Sequence, residues 1–143
     1  MKVVKVVAAA IVQDGKVLAT QRGYGEFEGG WEFPGGKVEP GETPEAALVR
    51  EIREELNARI AVERLLTTVE YDYATFHLSM EVYLCRHVDE RLELCEHHAA
   101  RWVDGSTIDE LAWLPADAAV VEQLKRQGVV DIPAQPAGRR PHD

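Results

Sequence analysis

The sequence predicts an α+β fold, in which one β-sheet packs against two long helices. Three observations indicate this fold class. The N-terminal segment is rich in β-branched residues and leads into a hairpin signal, a later segment alternates between apolar and polar residues, and two further segments have apolar residues at helical spacing. The chain has 143 residues, of which 45% are hydrophobic, so it is long enough for one domain with a single core.

The first predicted strand runs from Val3 to Val12. Its nearly continuous apolar character is typical of a strand that is covered on both faces. The dipeptide Asp14-Gly15 follows as a strong hairpin signal, and the segment from Lys16 to Arg22 supplies the returning strand. This hairpin argues against a secretory signal peptide, for which the apolar run from Val6 to Val12 is short.

A loop and the first helix come next. Residues 23–30 contain four glycines and are predicted as a loop, and residues 31–36 as a short extended piece. The helix is expected to begin after Thr43 as its N-cap, with Pro44 in the first helical position. It should end at Asn57, because asparagine tolerates the left-handed conformation of a helix end. The predicted apolar stripe of this helix consists of Leu48, Val49, Ile52 and Leu56.

The second half of the chain predicts two longer strands, a short strand and another helix. A strand starts in the segment from Ile60 to Leu66, and residues 75–84 alternate as a half-buried strand does. The segment from Ala100 to Val103 is a short predicted strand, and residues 107–112 are a helical turn. Residues 115–127 read as the second long helix. Its apolar positions at helical spacing are Ala118, Val121 and Leu124.

The charge balance excludes several classes of partner. The chain has 16 Lys and Arg against 25 Asp and Glu, which gives a formal charge of −9. Because a negative surface repels a phosphate backbone and no basic run is present, we expect no nucleic acid polymer as partner. No apolar stretch approaches the roughly 18 residues of a membrane span. The two cysteines, Cys85 and Cys95, make no disulfide framework, which favours a cytoplasmic location.

Three glutamates crowd together on the first predicted helix. At about 100° per residue, Glu51, Glu54 and Glu55 lie within roughly 100° of arc and border the apolar stripe. Like charges at this spacing destabilise a helix unless something neutralises them. Hard oxygen ligands beside a glycine-rich loop suit Mg²⁺, or Mn²⁺ in its place, particularly when the metal also holds phosphates. Helix spacing alone leaves a solvated acidic helix face as the alternative.

A longer pattern surrounds these glutamates. Gly36 is followed after five residues by Glu42, and after seven more by Arg50-Glu51-Ile52-Arg53-Glu54-Glu55. This spacing resembles the Nudix box, the signature of the Nudix hydrolase superfamily. One position departs from the pattern, because Asn57 stands where the family usually has glycine. Asparagine is the next best residue for a left-handed helix end, so the departure has little expected effect.

The resemblance extends over most of the chain. From Val3 to Leu124 the sequence is similar to the MutT-like nucleoside triphosphate pyrophosphatases, and residues 32–37 read Glu-Phe-Pro-Gly-Gly-Lys as they do in those enzymes. It implies a Nudix fold, an α/β/α sandwich with a mixed sheet between helices. We therefore expect a Nudix hydrolase domain over residues 1–128 and a flexible C-terminal tail over residues 129–143.

The resemblance also implies a metal-dependent hydrolytic site. Mg²⁺ is the expected cofactor, with Mn²⁺ as the alternative, and Arg50 is expected to orient a catalytic glutamate. The general base is either Glu51 or Glu96, a choice that the sequence leaves open. The implied metal ligands are the Gly35 carbonyl and the carboxylates of Glu51, Glu54, Glu55 and Glu96.

Four further residues are candidates for binding the substrate. Arg22 matches a phosphate-contacting arginine, with a solvated cation at a strand end as the alternative. Lys37, the last residue of the matching hexapeptide, is a further candidate for substrate binding. Phe33 is expected to pack against a base unless it is a core aromatic. Asp117 lies where the oxidised-guanine-specific enzyme has a base-reading asparagine, with an ordinary first-turn helix acid as the alternative.

The implied substrates are nucleoside or deoxynucleoside triphosphates, cleaved to a monophosphate and pyrophosphate. Because Asp117 replaces an asparagine, strict specificity for 8-oxo-dGTP is in doubt, and CTP, dCTP and 5-methyl-dCTP stay open. Two other functions are considered. Tyr71 and Tyr73 lie about where dinucleoside polyphosphate hydrolases carry a tyrosine, and some Nudix domains are non-catalytic nucleotide-binding regulators. The latter lose acids of the box, and none is lost here. A monomer and a homodimer are both compatible with the sequence.

Overall fold

The computed structural model describes residues 1–23, 25–88, 92–93 and 97–131. For His97 and His98 it describes the backbone alone. One mixed sheet lies between two helices, which confirms the expected α+β sandwich. The strands are β1 (Lys2–Gln13), β2 (Lys16–Arg22), β3 (Trp31–Glu32), β4 (Gly35–Lys37), β5 (Ile60–Asp72), β6 (Phe76–His87) and β7 (His97–Val103). The helices are α1 (Pro44–Leu56) and α2 (Pro115–Arg126), and a short 3₁₀ turn (Ile108–Glu110) precedes α2.

The sheet is built around β1. Its main path has the order β3-β2-β1-β6-β5, in which β1 and β6 run parallel and β5 and β6 form an antiparallel pair. The hairpin between β1 and β2 turns at Asp14 and Gly15, whose φ angles of 52° and 75° confirm the predicted tight turn. The predicted strand segments are all present, and those at Ile60 and Ala100 are longer than expected.

Beyond the hairpin, β1 and β2 separate, and residues 31–37 fill the gap between them. β3 pairs with β2, whereas β4 pairs with β1 through Val6 and Lys37 at one end and Ala8 and Gly35 at the other. The N–H of Ala9 also donates to the Pro34 carbonyl at 2.8 Å. This insertion brings residues 33–36 into the middle of the sheet.

Each face of β1 is covered by one helix. Val7, Ala9 and Ile11 pack with α1, whereas Ala8 and Ala10 face the opposite core, which includes the buried side of α2. The prediction that β1 is covered on both faces is therefore confirmed. The prediction of a half-buried strand is only partly right for β6, because Tyr83 and Cys85 on its second face are also buried, in the core that α1 covers.

The ends of α1 agree with prediction, but its buried stripe does not fully agree. Thr43 Oγ1 accepts a hydrogen bond from the Ala46 N–H at 3.1 Å, and Asn57 adopts the left-handed conformation with φ 49° and ψ 37°. Val49, predicted to be in the stripe, is 40% exposed, and Ala47 is buried instead. The contact face is thus rotated toward Ala47, because the packing of the helix on the sheet selects one side of the apolar arc.

The buried face of α2 also differs from the predicted one. Ala118 is exposed, because it lies about 200° around the helix from the buried Ala116. The buried residues of α2 are Ala116, Asp117, Val120, Val121 and Leu124. The expected tail began at residue 129, but Val130 is 1% exposed and belongs to the core, so the packed domain includes it. Residues 132–143 lie outside the described part of the chain, and their assignment to a tail stays a prediction.

Neither helix in the described ranges is long and apolar enough to cross a membrane.

Candidate active site

The three glutamates of α1 divide into an inner pair and an outer acid. The buried residues of the helix extend around its axis from Ala47 to Leu56. At 100° per residue, Glu51 and Glu55 fall inside this arc, and Glu54 falls outside it. The Glu51 side chain is accordingly 16% exposed, whereas that of Glu54 is 59% exposed.

Glu51 and Glu55 interact directly at the inner end of the cluster. Partial burial raises the pKa of Glu51, and hydrogen bonds from Arg50 and Glu55 oppose this effect without cancelling it. Two carboxyl groups can hydrogen-bond to each other only when they share a proton, because an ionised carboxylate is an acceptor alone. The geometry therefore concentrates negative charge that has to be neutralised.

Two adjacent glycines each make room for a close contact near this pair. A Cβ atom at Gly36 would lie less than 3.0 Å from the carboxyl carbon and both carboxylate oxygens of Glu51. A Cβ atom at Gly35 would instead lie less than 3.0 Å from the backbone of Val7 and Ala8 on β1. Gly36 thus makes room for a functional side chain, whereas Gly35 makes room for a neighbouring strand.

The guanidinium group of Arg50 holds the surrounding acids. Its Nε and Nη2 donate to the Glu42 carboxylate at 2.6 and 2.9 Å, and its Nη1 donates to Glu51 at 3.1 Å and to Glu54 at 3.2 Å. Nη2 also donates to the Lys37 carbonyl at 3.1 Å. The hydrogen bonds that Arg50 donates to Glu42 raise the pKa of Arg50 most, so it stays charged. Arg50 therefore contacts Glu51 directly, and its role in orienting a catalytic glutamate stays a prediction.

A cavity of about 410 Å³ opens beside this cluster. One end is lined by glycine and acid, at Gly35, Gly36 and Glu55, and the other by aromatic and aliphatic side chains. The residues of the second end and of the walls include Arg22, Phe27, Glu32, Phe33, Tyr73, Phe76, Leu78, Met80, Leu114 and Asp117. The cavity thus joins a polar end that suits phosphates to an apolar end that suits a ring.

Arg22 is held in the cavity wall rather than solvated at a strand end. Its Nη2 and Nε donate to the two carboxylate oxygens of Glu32 at 2.6 and 3.3 Å, and its Nη1 donates to the Glu26 carbonyl at 3.1 Å. Partial burial lowers the pKa of Arg22, but the hydrogen bond and charge of Glu32 outweigh this effect and the net pKa is raised. Arg22 is thus a fixed cation in the cavity.

Phe33 is both a packed aromatic and a cavity residue. It is 3% exposed, and its ring stacks on Trp113 with a centroid distance of 4.7 Å and an interplanar angle of 13°. Trp113 is itself fixed, because its Nε1 donates to the Ile108 carbonyl at 2.8 Å. Phe33 thus fits the alternative of a core aromatic and also belongs to the cavity lining, and its contact with a base stays a prediction.

Asp117 is a buried acid at the apolar end. It is 5% exposed, and its Oδ1 accepts the Phe33 N–H at 3.0 Å. Burial raises the pKa of Asp117 to about 7, because desolvation outweighs the Phe33 hydrogen bond and the charge of Arg22. An ordinary first-turn helix acid would be exposed and would ionise far below neutrality, so this alternative does not describe Asp117.

The structure brings many of the predicted residues together. Arg22, Phe33, Gly35, Glu55 and Asp117 all line the cavity, and Glu51 contacts Gly36 at its polar end. Lys37 is exposed at the end of β4 and is not part of the cavity lining. Glu96 lies outside the described residues, so its two predicted roles stay predictions.

Sequence reasoning missed several contributors to the site. Glu32 anchors Arg22 and Glu42 anchors Arg50, although the sequence had identified both acids only as parts of motifs. Trp113 supports Phe33. Tyr73, which the sequence had suggested only for a dinucleoside polyphosphate hydrolase, lines the cavity. The matching hexapeptide could have drawn attention to Glu32. No local signal pointed to Trp113, because it is 80 positions from Phe33 in the sequence and the two rings come together only in the folded chain.

The donor set fits a hard divalent cation. Within the described ranges, no group of three or more His, Cys, Asp or Glu side chains is already arranged as a metal site. The inner pair nonetheless offers oxygen ligands, and a cation between Glu51 and Glu55 would neutralise their adjacent carboxyl groups. All candidate ligands are carboxylate or carbonyl oxygens, which suits Mg²⁺ and Mn²⁺ better than softer metals.

Comparison with known proteins identifies relatives of this chain. The NUDIX domain family matches residues 1–131. CTP pyrophosphohydrolase of Escherichia coli is 35% identical over 123 residues, which are 85% of this chain and 91% of that protein. The 8-oxo-dGTP diphosphatase of Haemophilus influenzae is 35% identical over 121 residues, 82% of this chain and 89% of that protein. The solution structure of the E. coli ORF135 protein has a TM-score of 0.77 at 34% identity, with 96% of each chain covered.

Proposed function

The chain belongs to the Nudix hydrolase family, and on this basis we propose that it hydrolyses nucleoside or deoxynucleoside triphosphates to a monophosphate and pyrophosphate. The observation that carries the proposal is a cavity that reaches from the acid cluster of α1 to an apolar end with a buried acid. A nucleotide has the same division into a charged chain and a flat ring. A nucleotide bound along the cavity would therefore have its phosphates at one end and its base at the other.

The base would lie at the apolar end and the phosphates at the glycine-rich end. Phe33 offers an aromatic surface to the base, and the Asp117 carboxylate accepts a hydrogen bond from it. Arg22 is fixed by Glu32 in the wall and neutralises phosphate charge. Lys37, on the exposed end of β4, supplies a second cation for the phosphate chain.

Nudix hydrolases depend on a divalent metal, and we assign Mg²⁺ to this site, with Mn²⁺ as a substitute. The Gly35 carbonyl and the carboxylates of Glu51, Glu54, Glu55 and Glu96 would hold it. When bound, it neutralises phosphate charge and lowers the pKa of water.

The chain's own residues position the reacting groups. Arg50 holds Glu51 at 3.1 Å, and partial burial makes this carboxylate more basic than an exposed glutamate. We assign Glu51 as the general base, with Glu96 as the other candidate. Glu51 accepts a proton as water attacks the β-phosphorus. The bond from that phosphorus to the oxygen that bridges the α- and β-phosphates breaks, so the monophosphate leaves with this oxygen and the other product is pyrophosphate.

The substrate base is proposed from Asp117 and from the names of the relatives. An ionised Asp117 accepts a hydrogen bond from an amino group, such as that of cytosine. One relative is named for CTP and another for 8-oxo-dGTP. CTP and dCTP are therefore our first candidates, with 5-methyl-dCTP and 8-oxo-dGTP next. We place the reaction in the cytoplasm, on the cysteine content, and in a monomer or homodimer.

A panel of substrates with Mg²⁺ tests the proposal. CTP, dCTP, 5-methyl-dCTP, 8-oxo-dGTP, dGTP, ATP and a dinucleoside polyphosphate would each be scored for monophosphate and pyrophosphate. We expect a triphosphate to be hydrolysed, and Glu54→Gln to lower kcat by at least about a hundredfold while nucleotide binding persists. The proposal is wrong if the wild type hydrolyses nothing, and a preference for the dinucleoside would favour that alternative function.

A further inference from the structure

Tyr73 is fixed in the wall of the cavity by aromatic contacts. It directly follows β5, and its N–H donates to the Phe76 carbonyl at 2.9 Å, which closes the turn into β6. Its ring packs against those of Phe27 and Phe76, with centroid distances of 5.2 and 5.1 Å. Tyr71 contacts the same ring at 4.7 Å. The phenol is therefore a rigid part of the apolar end.

The hydroxyl oxygen of Tyr73 accepts a hydrogen bond, and the hydroxyl hydrogen is available for donation. Its oxygen accepts the Ala116 N–H at 3.2 Å. Ala116 lies in the first turn of α2, where N–H groups have no acceptor within the helix, and no side chain at the N-cap supplies one. A phenol is both acceptor and donor, and no described residue accepts the hydrogen of this one. A group bound in the cavity would be its partner.

Tyr73 and Asp117 form a pair of unlike groups. Burial raises the pKa of Tyr73, and the nearby charge of Asp117 raises it further, so the phenol stays protonated at neutral pH. The Asp117 carboxylate, with Oδ1 on the Phe33 N–H, is an acceptor when it is ionised. The apolar end thus has a hydrogen-bond donor close to an acceptor.

We infer that Tyr73 is a specificity-determining residue, whose hydroxyl donates to the ring nitrogen N3 of cytosine while Asp117 accepts from the neighbouring amino group. The inference rests on the proposed function and adds the donor that reads the base. An amino group beside an unprotonated ring nitrogen is present on the pairing edges of cytosine and adenine. Uracil and guanine have an N–H in place of that nitrogen and would leave the Tyr73 donor without an acceptor there.

The test removes the donor from the protein and the acceptor from the substrate. CTP, 3-deaza-CTP and ribose 5-triphosphate, which has no base, would be assayed with the wild type and with Tyr73→Phe at pH 8. We expect Tyr73→Phe to lower kcat/KM for CTP about fivefold to tenfold, the usual effect of one uncharged hydrogen bond. Hydrolysis of ribose 5-triphosphate should not change. For 3-deaza-CTP, the wild type should already show the loss, and Tyr73→Phe should add none.

A purely structural role of Tyr73 gives a different pattern. If the hydroxyl only holds the start of α2 through Ala116, Tyr73→Phe should weaken 3-deaza-CTP hydrolysis as much as CTP hydrolysis, and this result would overturn the inference. Tyr83→Phe is the matched control, because its hydroxyl binds Glu81 in the sheet and is not part of the cavity.

The failure of this inference can be told apart from that of the proposed function. If the wild type hydrolyses other triphosphates but not CTP, this result refutes only the inference that Tyr73 recognises cytosine. A wild type that hydrolyses no nucleotide refutes the proposed function. Melting temperatures of Tyr73→Phe and Tyr83→Phe would show whether either variant is folded, and an equal CTP loss in both would count against a specific role of Tyr73.

Discussion

The N–H of Phe33 donates a hydrogen bond to Oδ1 of Asp117 at 3.0 Å, although the two residues are 84 positions apart. The bond connects the segment inserted between β1 and β2 to the first turn of α2. Both residues are buried, so the bond is shielded from water. It fixes the position of the acid relative to the aromatic ring at the apolar end of the cavity.

The ionisation of Asp117 should make stability depend on pH. Its pKa of about 7 is above the ordinary value of 3.8, so the folded chain binds this proton more tightly than the unfolded chain. The resulting stability is complete below pH 3.8 and is lost as the pH rises to about 7. Asparagine accepts the Phe33 N–H without ionising. As the pH rises through this window, the free energy of unfolding of Asp117→Asn should therefore increase relative to that of the wild type by up to about 1.4 kcal/mol per pH unit.

Urea unfolding of both proteins at several pH values between 4 and 8 would measure this difference. A constant difference over that range would show that the carboxyl group does not titrate with a raised pKa.

The same substitution should change base preference more than rate. An amide at position 117 presents a donor as well as an acceptor, so nucleotides with a carbonyl at this edge should gain relative to CTP. We expect the ratio of kcat/KM for CTP to that for UTP to fall about tenfold in Asp117→Asn. Ribose 5-triphosphate should be hydrolysed at the wild-type rate. Equal losses for all three substrates would instead indicate disturbed folding.

Alanine should lower activity at one of the two adjacent glycines and stability at the other. At Gly36, a methyl group meets only the end of the Glu51 side chain, which can move away. Gly36→Ala should thus lower kcat about tenfold to a hundredfold with little change in melting temperature. At Gly35, the methyl group meets the backbone of β1, so Gly35→Ala should destabilise the fold by about 2 kcal/mol or more. Activity and thermal unfolding of each variant, measured together, would separate the two cases.

Arg50 should be needed for its geometry as well as its charge. It contacts Glu42 through Nε and Nη2 and both Glu51 and Glu54 through Nη1, which a lysine cannot reproduce. We expect Arg50→Lys to lower kcat about a hundredfold. Arg53→Lys is the matched control, because Arg53 is exposed on the same helix. Steady-state kinetics of the two variants would decide, and similar rates would contradict the orienting role of Arg50.

Asn57 should be replaceable by glycine but not by alanine. Its φ of 49° lies in the left-handed region, where glycine is unstrained and a Cβ without a compensating side chain is unfavourable. We expect Asn57→Gly to change the free energy of unfolding by no more than about 0.5 kcal/mol, and Asn57→Ala to lower it by about 1 kcal/mol. Chemical unfolding checks both values. A strong destabilisation by glycine would mean that the asparagine side chain itself matters.

The sequence predicted best where the responsible interactions are local. The cap at Thr43, the end at Asn57 and the turn at Asp14 depend on residues a few positions apart, and all three were confirmed. The apolar stripes were less accurate, as Val49 and Ala118 show. Periodicity gives the width of an apolar arc, but the element packed against the helix selects which side of that arc is buried.

The sequence by itself determined the α+β class, the family and the spacing that gathers Glu51, Glu54 and Glu55 on one helix, because these follow from short-range patterns. Only the tertiary structure decided that Glu51 and Glu55 face inward and that Asp117 has a pKa near 7. Burial and desolvation depend on which distant segments come together. The contact of Asp117 with Phe33 is such a meeting, and no local pattern encodes it.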